Sequence, residues 1–228
     1  MNVTALIPVK GFRNAKQRLS PLLGAADREL LAEAMFRDVL RAVTRARGLD
    51  ATFVVTGNDR VAEISASMGA AVIREPAETG ETGAVDFARV ELKRMGHQAV
   101  LILPGDMPLV RAWDIERVLA QVPDGAAAPF ALLAPSHDRL GTNALLLAPP
   151  DIIRLRFGYD SFNYHLGQVS ARGLPLRFIE NEAIALDIDE PQDLRRFLTV
   201  GRDDGKTFRL ARQLVTAAEV RTQRLGSA

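Results

Sequence analysis

Short runs of consecutive apolar residues alternate along the chain with longer segments in which apolar residues recur every three or four positions. The runs predict strands buried on both faces of a parallel sheet, and the spaced segments predict helices packed against it. The predicted strands are residues 3–9, 52–56, 71–73, 99–103, 126–134, 143–147, 176–179 and 183–186. The predicted helices are residues 27–47, 59–69, 84–95, 114–122, 161–172, 191–198 and 206–225. This alternation indicates an α/β fold with a mainly parallel, twisted sheet.

Length and composition narrow the class of protein. A chain of 228 residues, 47% hydrophobic and 25% charged, fits one soluble domain, which we assign to residues 1–200. Residues 201–228 are interpreted as a linker and a peripheral amphipathic helix. The absence of cysteine excludes disulfides and thiolate chemistry, and a formal charge of +1 argues against a nucleic-acid partner. With no apolar run of membrane-spanning length, we expect a cytoplasmic protein.

Three carboxylates follow two of the predicted strands. Asp106 comes after residues 99–103 and is bracketed by proline and glycine, which keep it out of a strand or helix. Asp187 and Asp189 are two positions apart, so in extended chain both side chains face the same point. Together these acids predict a Mg²⁺ site at the carboxyl edge of the sheet. The alternatives are a solvated turn for Asp106 and a helix cap for Asp189.

A basic segment follows the first predicted strand. Lys10, Arg13, Lys16 and Arg18 lie where they can face a triphosphate, and we favour Lys10 and Lys16 as the functional pair. The glycine spacing matches neither a P-loop nor a dinucleotide fingerprint. The alternative is an ordinary solvated surface.

A third group of residues combines glycines, which allow unusual backbone conformations, with hydroxyl side chains. Thr142 follows a glycine, and Gly158 precedes Ser161 at a predicted helix start, an arrangement suited to a phosphate or a carboxylate. The alternative is that Thr142 ends a turn and Ser161 caps its helix. His165 is expected to be a packed or surface residue rather than a base.

These segments, in this order, resemble the CofC/FbiD family over roughly residues 3–198. The matching stretches are Ile7-Pro8-Val9-Lys10 with Lys16, Leu103-Pro104-Gly105-Asp106-Met107-Pro108, Gly141-Thr142-Asn143-Ala144-Leu145, Phe157-Gly158 with Ser161 and His165, and Asp187-Ile188-Asp189-Glu190-Pro191. The resemblance implies a Rossmann-related, glycosyltransferase-A-like nucleotidyltransferase fold. It also implies a guanylyltransferase that joins GTP to 2-phospholactate, phosphoenolpyruvate or 3-phosphoglycerate in coenzyme F-420 biosynthesis, releasing pyrophosphate.

The resemblance also implies roles for individual residues. Asp106, Asp187 and Asp189 would bind Mg²⁺, and Asp106 and Lys16 would act in catalysis. Thr142, Gly158 and Ser161 would hold the phosphorylated acid. Lys10, Lys16 and Gly83 would contact the nucleotide.

The chain departs from the family pattern at two places. Many relatives carry Leu-Asn-Ala-Ala where this chain has Thr82-Gly83-Ala84-Val85, and the helix from residue 206 lies outside the recognised pattern. We assign that helix to homodimer formation as a hypothesis. Arg111, Arg139 and Arg156 are candidates for the acceptor's carboxylate.

Three other functions remain open at this stage. Two are enzymatic: a nucleotidyltransferase of the nucleotide-sugar or molybdopterin type, and a sugar transferase using Asp187 and Asp189. The third is a non-catalytic GTP-binding regulatory subunit.

Overall fold

One seven-stranded sheet with helices on both faces forms the centre of the protein. The computed structural model describes residues 1–77, 79–122, 129–201 and 205–226, with the backbone alone for 221–226. The strands are β1 (Val3–Pro8), β2 (Ala51–Thr56), β3 (Ala71–Arg74), β4 (Ala99–Ile102), β5 (Phe130–Pro135), β6 (Thr142–Ala148) and β7 (Leu176–Phe178). The helices are α1 (Ala25–Arg45), α2 (Asp59–Ser67), α3 (Gly80–Arg94), α4 (Ala112–Leu119), α5 (Ser161–Ala171), α6 (Glu182–Ala185), α7 (Pro191–Val200) and α8 (Lys206–Gly226).

The sheet is mainly parallel, as the sequence predicted. Its strand order is β3-β2-β1-β4-β6-β5-β7, and among the described strands only β6 runs antiparallel to its neighbours. Alternate residues of each central strand face opposite sides. In β1, Ala5 and Ile7 join the core beneath α1, whereas Leu6 joins the core beneath α3 and α5. Both faces are therefore covered, which explains the continuous apolar runs.

The direction of β6 determines where the polar residues meet. Because β6 is antiparallel to β4, with Ile102 opposite Leu145, its first residues lie at the edge where β4 ends. Thr142 at the start of β6 thus reaches the same edge as Asp106, which follows β4. This edge of the sheet carries the candidate site.

One predicted strand is wrong. Residues 183–186 were assigned to a strand because they are apolar, but Glu182–Ala185 form the short helix α6. The side chain of Asn181 accepts hydrogen bonds from the backbone N–H groups of Ala183 and Ile184, at 2.9 and 3.1 Å, and so caps that helix. Asp187 therefore follows a helix. The backbone N–H of Ile188 nevertheless donates to the carbonyl of Asp106 at 3.2 Å, which brings the two acidic segments together.

The start of α3 was also predicted wrongly. Its first residue is Gly80 rather than residue 84, so the polar stretch expected to be a loop provides the first turn. Glu75 stabilises this start, since its Oε1 accepts hydrogen bonds from the Thr79 backbone and hydroxyl at 3.0 and 2.8 Å.

The C-terminal helix α8 is more deeply packed than a peripheral helix. It lies against α1 and α7, and Ala211 and Val215 join the core beneath α1. The Asp38 carboxylate of α1 accepts a hydrogen bond from the Thr207 N–H at 2.9 Å and so fixes the start of α8. The division of the chain at residue 200 stays a prediction.

Parts of two predicted segments lie outside the described residues, namely 126–128 of the fifth strand and 202–204 of the linker. No helix in the described ranges has the length and hydropathy needed to cross a membrane.

Candidate active site

Lys16 connects two of the acidic segments. Its ammonium donates to Asp106 Oδ2 at 2.6 Å and to Asp189 Oδ1 at 2.8 Å. Burial lowers the pKa of Lys16, but the negative charges of Asp106 and Asp189 outweigh this effect and leave the pKa above its usual value. Asp189 shows the opposite balance: burial raises its pKa, yet Lys16 and Arg18 bring it below the usual range. Lys16 is therefore a fixed positive charge inside the acidic cluster.

Asp187, the third acid, is held by an amide. Asn143 Nδ2 donates to Asp187 Oδ1 and to the Ile184 carbonyl, each at 2.9 Å. Burial and the neighbouring charge of Asp106 raise the pKa of Asp187 to about 6, although the hydrogen bond from Asn143 opposes this shift. Asn143 was not among the predicted site residues. Its position beside Thr142, at the start of a strand facing the site, was the signal for it.

The three carboxylates fit a cation only in part. The Oδ1 atom of Asp106 is buried without a hydrogen-bond partner, and such an atom is satisfied by a bound cation. Within the described ranges, however, no three acidic, histidine or cysteine groups are arranged as a complete metal site. Mg²⁺ commonly takes one or two carboxylates and completes its shell with phosphate oxygens and water. The donor set suits that mode of binding.

The predicted hydroxyl residues do meet beside these acids. The Thr142 N–H donates to Ser161 Oγ at 3.0 Å, and Gly158, with a φ of +101°, begins the turn into α5. A β-carbon at Gly158 would be strained in this left-handed conformation. Both hydroxyl residues are buried in the wall of a cavity of about 480 Å³, which we call the acidic pocket.

His165 orients the Thr142 hydroxyl. The Arg156 N–H donates to His165 Nε2 at 3.2 Å, so Nε2 is an acceptor and Nδ1 carries the proton in the neutral ring. Nδ1 lies 2.9 Å from Thr142 Oγ1 and donates to it. Burial, together with the positive charges of Arg156 and Arg89, lowers the pKa of His165 to about 4. The threonine proton is thus left to donate to an anion in the acidic pocket, and His165 is a packed residue, as expected.

A second cavity, of about 290 Å³, lies on the other side of Asp106. We call it the apolar pocket, since Val9, Phe12, Met35 and Phe36 form much of its wall. Its polar lining residues are Lys10, Lys16, Glu75, Glu81 and Asp106. The two pockets share Glu81, Pro104 and Asp106, so molecules bound in each would meet at Asp106.

Gly83 does not reach this pocket in the described structure. It lies within α3, where a β-carbon would come within 2.2 Å of the Thr79 hydroxyl. We attribute the glycine to this close contact rather than to the nucleotide contact that was predicted. Lys10, by contrast, lines the apolar pocket, and its contact with the nucleotide stays a prediction.

Glu81 is the carboxylate that sequence reasoning missed. The surrounding protein displaces water and raises its pKa to about 7, and the charge of Asp106 adds to the shift. Glu81 lies between the predicted strand 71–73 and the predicted helix 84–95, and no sequence signal placed it beside Asp106.

The arginines proposed for the acceptor's carboxylate lie elsewhere. Arg111 donates to the carbonyls of Pro108, Leu109 and Val110, Arg139 pairs with Glu180, and Arg156 stacks over Tyr164. None of the three lines the acidic pocket, whereas Arg18 does.

Comparison with known proteins identifies the family. The family described as "Guanylyl transferase CofC like" matches residues 3–224. The chain belongs to this family. Because the match extends to residue 224, α8 lies within the family pattern, and the expectation that it lies outside is wrong. Membership confirms the resemblance drawn from the sequence and establishes a nucleotidyltransferase.

Curated relatives show more than one acceptor. The chain is 37% identical over 201 residues to the phosphoenolpyruvate guanylyltransferase of Rubrobacter xylanophilus, covering 88% of this chain and 96% of that protein. It is 34% identical over 205 residues to the 2-phospho-L-lactate guanylyltransferase of Methanothermobacter thermautotrophicus, covering 88% and 86%.

A solved structure confirms the fold. A protein described as a nucleotide-diphospho-sugar transferase from Desulfovibrio desulfuricans G20 superposes with a TM-score of 0.77 at 17% identity, covering 96% of this chain and 99% of that one.

Proposed function

We propose that this protein transfers GMP from GTP to a phosphorylated three-carbon acid and releases pyrophosphate. The observation that carries the proposal is that two pockets of different chemistry meet at Asp106. The apolar pocket, with Lys10 and Lys16, suits a nucleotide. The acidic pocket offers Thr142, Gly158 and Ser161 to the acid. The acid's phosphate would then lie next to the α-phosphate of GTP.

The chain's own residues supply positioning and charge. Phosphoryl-type transfer needs little covalent chemistry from the protein, and a phosphate oxygen is already a nucleophile near neutral pH. Lys16, already held by Asp106 and Asp189, provides positive charge between the pockets. In this proposal carboxylates from the group Asp106, Asp187 and Asp189 would hold Mg²⁺ together with phosphate oxygens, and the ion would neutralise charge on the phosphates.

Several finer points belong to the proposal. The acceptor is one of phosphoenolpyruvate, 2-phospholactate or 3-phosphoglycerate, since each carries a phosphate and a carboxylate on three carbons. The product would serve coenzyme F-420 biosynthesis. A cytoplasmic location, a homodimer and the absence of nucleic-acid and membrane partners stay predictions.

The experiment is pyrophosphate release by the purified protein with GTP and Mg²⁺, run separately with each of the three acids and without acid. Release that depends on one acid would support the proposal and identify the acceptor. GTP binding without release for any acid would contradict it and favour the regulatory alternative. Release with a sugar phosphate or a molybdopterin acceptor in place of the acids would favour another nucleotidyltransferase.

Two isosteric variants test the site itself. Asp106→Asn and Asp187→Asn should each lower kcat by about 100-fold or more while the protein stays folded, because the charge that holds the phosphates' counter-ion is lost. Asp151→Asn is the matched control, since Asp151 pairs with Lys93 away from both pockets. Full activity in both site variants would contradict the assignment.

A further inference from the structure

The acidic pocket is lined by many carboxylates, whose negative charges repel the negatively charged acceptor proposed to bind there. Seven carboxylates line it: Glu81, Asp106, Asp138, Asp187, Asp189, Glu190 and Asp193. A phosphorylated acid brings a phosphate and a carboxylate of its own. Thr142, Gly158 and Ser161 offer only neutral donors, and a charged donor holds an anionic group more strongly than a neutral one.

Arg18 is the single lysine or arginine among the described residues that line this pocket. Lys16 lies deeper and is already held by Asp106 and Asp189. The candidate arginines at positions 111, 139 and 156 are engaged elsewhere and do not line the pocket. Among the described lining residues His137 lies 3.9 Å from the Asp193 carboxylate, which leaves Arg18 as the permanently charged side chain that can meet the acceptor.

The local structure keeps Arg18 at the pocket while leaving its head group exposed. Its backbone lies in the 3-10 turn Gln17–Leu19, which the fully buried Leu19 anchors to the core. Its side chain is 72% exposed, and it contacts Glu190 only at 3.7 Å. So long and exposed an ion pair contributes little to stability, and exchange of Glu190 for another carboxylate costs little. The guanidinium also presents a planar fork that matches a carboxylate.

We propose that Arg18 binds the carboxylate of the phosphorylated acid and so makes the enzyme select acids over phosphate esters that lack a carboxylate. This inference rests on the proposed function. In this role Arg18 is a specificity residue, and the phosphate end of the acceptor stays with Thr142, Gly158 and Ser161.

The experiment combines a protein variant with a substrate variant. The acid that supports pyrophosphate release is compared with its carboxamide analogue, in wild type and in Arg18→Gln. Wild type should prefer the acid, and Arg18→Gln should raise KM for the acid by about 10- to 100-fold, the effect of losing a charge-assisted contact. For the carboxamide the two proteins should differ by less than about threefold. The KM for GTP should be unchanged.

Two further variants separate this role from a structural one. Arg18→Lys keeps the charge but not the fork, and it should restore part of the preference for the acid. Arg172→Gln, which replaces an exposed arginine at the end of α5 that lines neither pocket, should behave as wild type.

The possible outcomes test this inference separately from the proposed function on which it rests. An active wild type whose preference for the acid survives in Arg18→Gln would overturn the inference alone. A wild type that releases no pyrophosphate with any of the three acids would overturn the proposed function and this inference with it. A loss of melting temperature shared by Arg18→Gln and Arg18→Lys, with equal losses for acid and carboxamide, would assign Arg18 a structural role and also overturn the inference.

Discussion

At the scale of single residues, the buried ring of His165 makes the stability of the fold depend on pH. In the folded protein its pKa is lowered to about 4, because burial disfavours the charged ring, whereas the unfolded chain keeps a value near 6.5. The stability linked to this neutral ring is complete above pH 6.5 and is lost as pH falls toward 4, since the unfolded state then binds a proton that the folded state does not. We expect His165 to remove about 2 kcal/mol of unfolding free energy between pH 7 and pH 5. Urea unfolding at the two pH values measures this.

Two carboxylates titrate in the same range with the opposite sign. Glu81 and Asp187 have raised pKa values, about 7 and about 6, so acidification favours their folded state. The effect of His165 is therefore read as a difference between wild type and His165→Gln, whose amide does not titrate. An identical pH dependence in the two proteins would contradict the neutral buried ring.

Sequence reasoning predicted the residues of the site better than their contacts. Asp106 and Thr142 were named because positions at strand ends and beside turn residues are local signals, whereas Asp187 was named from an apolar run that is the helix α6 rather than a strand. The bond between Lys16 and Asp106 joins residues 90 positions apart, so no local pattern encodes it. For the same reason Arg18 ranked below Lys10, although the fold directs Arg18 to the acidic pocket.

At the scale of elements, α8 should contribute to stability through its buried face. Ala211 is completely buried in the core beneath α1. Ala211→Asp should lower the unfolding free energy by about 2–4 kcal/mol, because it buries a charge without a partner and overfills the site. The measurement is the urea midpoint with the slope checked for two-state behaviour.

Thr216→Asp is the matched control, since residue 216 is exposed on the same helix. Its effect should stay within about 0.5 kcal/mol. Equal effects of the two substitutions would contradict the packing of α8 on α1.

Elements buried on both faces were predictable, whereas α6 and the first turn of α3, which are held by side-chain hydrogen bonds, were not. The apolar runs of β1 and β4 could be recognised as strands from the sequence because both faces of each strand contact helices. The helix α6 was taken for a strand since Ile184 and its neighbours are apolar, whereas the cap from Asn181 decides its conformation. The first turn of α3 depends in the same way on Glu75, four residues upstream of Thr79.

At the scale of the whole molecule, charge is balanced overall but not locally. The formal charge of +1 conceals an acidic pocket that is lined by seven carboxylates and one arginine, with Lys16 paired to two of the carboxylates. Composition argued against a nucleic-acid partner but could not show this concentration of acids, since it arises from segments far apart in sequence. An acceptor that carries several negative charges should therefore bind poorly unless a cation accompanies it.

The last prediction follows from this imbalance. Removal of Mg²⁺ with EDTA should weaken binding of the phosphorylated acid about tenfold or more, because the carboxylates then repel it without compensation. Titration calorimetry with the acid alone, with and without Mg²⁺, measures the effect before any reaction occurs. The Mg²⁺ dependence should disappear in the double variant Asp106→Asn/Asp187→Asn, which lacks two of the proposed ligands and two of the repelling charges, while Asp151→Asn should keep it. Equal affinity with and without Mg²⁺ in the wild type would show that protein donors alone hold the acid, and would remove the charge argument for a metal at these carboxylates.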